Sequence, residues 1–169
     1  MEEQGTSMLE VDGRIEVHVV RAKNLKRKDL LSKSDPYVVV SMQGHELAQT
    51  MPIKDNQDPE WNAFFGLHVK GHIPEDARIL VRVMDHDGSL KGAIKKHDYL
   101  GTVSLPARTV FEEGDLVGVF NLLSENDSKV KGDLTLRFKY FKDVPAERTD
   151  TIIYLEEISW FSSSNLVDE

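Results

Sequence analysis

Short runs in which every second residue is apolar recur along the chain, separated by turn-forming residues. The first is Arg14-Ile15-Glu16-Val17-His18-Val19-Val20, where Ile15, Val17 and Val19 alternate with Glu16 and His18. A two-residue period is the signature of a strand with one face in a core and the other in water. His18 accordingly reads as a solvent-face residue rather than a ligand. The same period closes the chain's regular part, where Leu134, Leu136 and Phe138 alternate with Thr135, Arg137 and Lys139. Between them, Tyr37 to Met42, Leu47 to Met51, Trp61 to Val69, Arg78 to Met84, Gly101 to Leu105 and Val117 to Leu122 also read as strands. Only Arg108 to Glu113 offers a helical turn. Many short strands with almost no helix predict an all-β fold, an eight-stranded antiparallel Greek-key β-sandwich.

A length of 169 residues fits one domain of ordinary size with room for a tail. Residues 1–12 are polar, lack a clear period and read as a flexible acidic arm. The domain is expected over residues 13–141. An acidic tail or linker is expected over residues 142–169, where Pro145 is followed by Ile152, Ile153, Tyr154, Leu155, Ile158, Trp160 and Phe161. This apolar cluster fits neither period. It suits a segment leaning on the domain, a short packed helix, the start of a further region or a surface for a protein partner.

The net charge of −8 is unevenly spread. Residues 1–12 carry −4, residues 142–169 carry −5, and the body between them is nearly neutral. That balance argues against a nucleic-acid partner. There is no cysteine, so disulfides and thiolate metal sites are excluded. No apolar run approaches the ~18 residues of a membrane span. The start of the chain lacks the basic and apolar regions of a signal peptide. A cytoplasmic protein, peripheral on membranes, is the expectation.

The candidate site lies in the loops. Strand direction alternates in such a fold, so loops two strands apart share one end. The loop from Lys26 to Asp35 carries Asp29 and Asp35, and the loop from Asp85 to Asp98 carries Asp85, Asp87 and Asp98. A single Asp in a turn ordinarily bonds its own backbone. Five brought to one end disfavour one another's charged forms. A hard divalent cation relieves this. Calcium accepts six to eight oxygens in flexible geometry, whereas magnesium demands a tighter octahedron. Asp85 and Asp87, two residues apart on extended backbone, point to one side.

Taken together, several motifs resemble the C2 domain, a calcium- and phospholipid-binding sandwich. They are Val20-Arg21-Ala22-Lys23-Asn24-Leu25, Ser34-Asp35-Pro36-Tyr37-Val38, Asp58-Pro59-Glu60-Trp61-Asn62, Val83-Met84-Asp85-His86-Asp87, Lys96-His97-Asp98-Tyr99-Leu100-Gly101 and Lys131-Gly132-Asp133-Leu134-Thr135-Leu136. The resemblance covers roughly Gly13 to Phe141, in an order like the family's type II topology. It implies that Asp29, Asp35, Asp85, Asp87 and Asp98 are calcium ligands, with main-chain carbonyls at Lys28 and His86. The third loop departs from the family in length, with ten residues between Asp87 and Asp98 where about five are common. It also carries Lys95 where some members supply an oxygen. The stretch His45 to Lys54 holds only Lys54, where many members carry several lysines.

Function follows as an expectation. Leu30 and Leu31 stand beside Lys33 in the first loop, and Leu90 and Ile94 beside Lys91, Lys95 and Lys96 in the third. Apolar tips ringed by long basic side chains suit an anionic phospholipid membrane. Leu30 and Leu31 packed under their own loop is the plainer alternative. No nucleophile triad, phosphate-cradling glycine loop or histidine metal motif stands out, so no enzyme is expected. The competing reading is a calcium-independent protein-interaction module on the same sandwich.

Overall fold

The computed structural model describes residues 7–27, 34–86, 98–126, 128–148 and 151–155, with Asp98 described in its backbone only. In chain order the elements are β1 (Met8–Lys23), β2 (Pro36–Met42), β3 (His45–Gln49), β4 (Glu60–Pro74), β5 (Arg78–Asp85), β6 (Asp98–Pro106), α1 (Ala107–Glu113), β7 (Asp115–Leu123), β8 (Lys129–Lys142) and β9 (Thr151–Tyr154). The strands run side by side as β3-β2-β5-β6-β7-β8-β1-β4-β9. β6 and β7 share a single register pair, Thr102 with Leu123. The ladder therefore breaks there into two sheets, β3-β2-β5-β6 and β7-β8-β1-β4-β9.

The alternation seen in the sequence decides which faces meet. Val81 and Val83 of β5 and Val38 and Val40 of β2 are fully buried, as are Ile15, Val17, Leu134, Leu136 and Phe138 of the other sheet. Burying each such side chain is worth about 1.5–3 kcal/mol, so the interleaved faces supply the cohesion of the domain. β1 changes phase once. Its register with both neighbours shifts between Val19 and Arg21. The extra residue of this bulge moves the inward positions from odd to even numbers, so Ala22 is buried after Val19.

α1 packs Ala107, Val110 and Phe111 inward at helical spacing. It ends at Gly114, whose left-handed backbone (φ 74°) lets its N–H donate to the Val110 carbonyl at 3.2 Å. Gly13 serves a different need. A Cβ there would overlap the Phe141 carbonyl of the neighbouring strand.

The all-β sandwich is as expected, with three differences of detail. There are nine strands rather than eight. The ninth is Thr151–Tyr154, which pairs parallel with β4 over Leu67 to Lys70, and Leu155 just beyond it is 4% exposed. Part of the apolar cluster of the C-terminal stretch is thus a sheet strand, while Ile158, Trp160 and Phe161 lie outside the described residues. β1 begins at Met8 rather than Gly13, because Leu9 and Val11 continue the inward phase of Ile15 and their register with β4 runs out to Pro74. β4 continues through Gly71 to Pro74, beyond the Val69 end expected from the sequence.

Candidate functional site

Two of the expected carboxylate ligands lie fully within the described residues, at the ends of neighbouring strands. Pro36 of β2 stands opposite Asp85 of β5, and Asp85 stands opposite Asp98 of β6. Asp35, just before β2, thus stands with Asp85 and Asp98 at one end of three adjacent strands, the paired Asp85 and Asp98 backbones roughly 5 Å apart. Asp29, Asp87, Lys28, Leu30, Leu31, Lys33, Leu90, Lys91, Ile94, Lys95 and Lys96 lie outside the described residues. With most of the expected ligands there, no group of three or more metal-ligating side chains occurs among the described residues.

The two described carboxylates are held by backbone amides. The Asp35 N–H donates to Asp85 Oδ1 at 2.7 Å, and the Asp55 N–H donates to Asp35 Oδ1 at 2.9 Å. The His86 N–H donates to the Asp35 carbonyl at 3.0 Å. Asp85 is 5% exposed. An ionised carboxylate offers about four lone-pair positions, and these contacts use one on each group. Hard oxygens from separate loops form a donor set that fits calcium. Ser34, beside Asp35, is 1% exposed, and its hydroxyl has no hydrogen-bond partner among the described residues.

The second loop, Lys54 to Pro59, plays a part beyond that of an ordinary turn. Asp55 adopts a left-handed backbone (φ 51°), which directs its N–H at Asp35. The Asp58 carboxylate accepts the Asn24 N–H at 2.8 Å, and the Asp58 N–H donates to Asn56 Oδ1 at 2.9 Å. Leu25 and Ala22 donate their N–H groups to the carbonyls of Gln57 and Pro59, both at 3.0 Å. The loop therefore clamps the root of the first loop to the base of the site. Its signal was the Asn56-Gln57-Asp58-Pro59 run, since Asn and Asp side chains bond backbone two residues on. Trp61 extends the clamp, donating Nε1–H to the Pro36 carbonyl at 3.3 Å.

Tyr37 lies behind Asp35, edge-on to His86 with ring centres 6.3 Å apart. Burial pushes its phenol up, with Glu46 adding to the shift. On the opposite sheet, His18 sits on the outer face as expected, stacked on Phe64 at 3.6 Å. Burial holds its imidazole below the ordinary value, and the nearby Arg137 charge acts in the same direction.

The C2 domain family model matches residues 13–122, more than half of the chain. The chain belongs to the C2 domain family. Among curated proteins, it is 34% identical over 137 residues to Synaptotagmin-3 of Arabidopsis thaliana, covering 76% of this chain and 24% of that protein. It is 31% identical over 139 residues to a Calcium-dependent lipid-binding protein of the same plant, covering 78% of this chain and 26% of that one. The chain thus spans about a quarter of the length of these relatives. Among solved structures, the paired C2 domains of Extended-Synaptotagmin 2 in their calcium-bound form match with a TM-score of 0.63 and 26% identity, covering 79% of this chain and 48% of that one. That match extends the family assignment to the fold. No helix among the described residues is long and apolar enough to cross a membrane.

Proposed function

We propose that this C2 domain is a calcium-dependent membrane-binding module, not an enzyme, that acts peripherally on anionic phospholipid surfaces in the cytoplasm. The observation that carries the reading is the convergence of Asp35, Asp85 and Asp98 on one end, with the Asp35 and Asp85 carboxylates oriented by backbone amides. Asp29 and Asp87 complete the acidic set, and the carbonyls of Lys28 and His86 add main-chain oxygens. Calcium held by these oxygens would supply positive charge to offset the cluster and a site for a lipid phosphate oxygen.

The residues around the site do the rest. Without calcium, the aspartates oppose an anionic surface and offset the attraction of Lys33, Lys91, Lys95 and Lys96. Each basic residue near such a surface contributes about 1 kcal/mol. Once the acidic charge is offset, that attraction prevails, and Leu30, Leu31, Leu90 and Ile94 enter the interface. The likeness to a Calcium-dependent lipid-binding protein and to a calcium-bound structure supports this reading.

Co-sedimentation with phosphatidylserine-containing vesicles tests it. Calcium should drive the protein into the pellet and a chelator should release it. Pelleting unchanged by chelator, or pelleting lost in favour of a calcium-independent protein partner, would replace the switch with the protein-interaction reading.

A further inference from the structure

Among the described residues, Met51 is the most exposed large apolar side chain, at 82%. It lies between β3 and β4 in Thr50-Met51-Pro52-Ile53-Lys54, at the head of the second loop. The stretch is fastened on both sides of it. The Thr50 N–H donates to the Val38 carbonyl at 3.0 Å, and the Val38 N–H donates to the Thr50 hydroxyl at 2.9 Å. The Ile53 N–H donates to the Pro36 carbonyl at 3.1 Å. These bonds set Met51 level with Tyr37, two residues along the strand from Asp35, which is roughly 7 Å. Asp55, on the same loop, holds the Asp35 carboxylate.

At this exposure, the packing among the described residues makes little use of the Met51 side chain. It is presented on a backbone fixed by Pro52 and by bonds on either side, so little order is lost when it enters another phase. The exposed Lys54 follows three residues later. An apolar tip with a basic neighbour thus stands at the metal-site end, on a loop to which neither role was assigned. The other strongly exposed apolar residues differ in place. Phe64, Val117 and Val119 lie on the outer face of the β7-β8-β1-β4-β9 sheet.

We infer that Met51 is a third apolar anchor of the membrane-facing end, entering the bilayer interface beside the first and third loops. The partner is the lipid bilayer itself, so this inference rests on the membrane reading above.

The absence of cysteine makes the test clean. Met51→Cys carries one environment-sensitive fluorophore, and Val117→Cys carries the same probe on the far face. Both are mixed with vesicles of equal parts phosphatidylcholine and phosphatidylserine in calcium. The Met51 probe should shift to the blue and be quenched by a lipid-borne quencher, and the Val117 probe should do neither. Met51→Ser should weaken vesicle partition about tenfold, with its calcium titration and Tm unaltered. A Met51 probe that behaves like the Val117 probe, on protein that still pellets with vesicles, overturns the anchor and leaves the membrane reading standing. Unmodified protein that never pellets overturns both.

Discussion

Carboxylates at the two ends of the sandwich are treated in opposite ways. At the end near Pro74, Asp12 is closed off by the side chains of Lys70 and His68. His68 Nε2 and Lys70 Nζ each lie 2.9 Å from one of its oxygens. The Lys70 hydrogen bond, followed by that of His68, holds the Asp12 carboxyl below its ordinary value, and Asp12 in turn raises Lys70. Its backbone is bound as well, by the Asp143 N–H at 2.7 Å and by the Tyr140 hydroxyl at 3.1 Å. At the other end, among the described residues, the Asp35 and Asp85 carboxylates accept backbone amides, from Asp55 and Asp35 respectively. Asp12 has spent its charge on the fold, whereas Asp35 and Asp85 are positioned by backbone amides and, on the proposed function, face calcium.

Three changes test that contrast, from the largest expected effect downward. Asp85→Asn with Asp87→Asn should weaken calcium-driven vesicle binding by more than about a hundredfold, because ligand charge sets calcium affinity. Its Tm without calcium should be unchanged or higher, since like charges are relieved. A fall in Tm with calcium response retained would make Asp85 a structural residue like Asp12. Thr50→Val leaves the buried Val38 N–H without its acceptor and should cost about 1–3 kcal/mol in denaturant unfolding. It should also loosen the second loop that carries Met51 and Asp55. Asp12→Asn should have the smallest effect and none on calcium. Because the folded Asp12 pKa is depressed, its stabilising contribution is present above the ordinary value of 3.8 and is lost as pH falls through the lower folded value. The variant should therefore be less stable at neutral pH and show a shallower acid limb in a Tm–pH profile.

Much of this was legible from residue order. The alternation at Ile15 to Val19 and at Leu134 to Phe138, on paired strands of one sheet, fixed that sheet's inner face, because a period of two leaves no choice about which residues turn inward. The grouping of Asp35, Asp85 and Asp98 followed from strand alternation and their places at strand ends. Less legible was anything set by a partner far along the chain. Met8 to Asp12 carries only a short stretch of pattern, and its inclusion in β1 depends on β4 continuing to Pro74. Thr151 to Tyr154 has no period of its own and becomes a strand by borrowing the edge of β4. Asp55 is an ordinary turn residue until its backbone angle aims an N–H at Asp35. The third loop's extra length falls outside the described residues.

The most direct measurement is a calorimetric titration of the unmodified chain with calcium, checked against magnesium. Carboxylates held open at one end predict saturable heat with calcium, little with magnesium, and its loss in the Asp85→Asn, Asp87→Asn protein. No saturable heat with calcium would mean that the amide-held carboxylates are as structural as Asp12, and it would contradict the account.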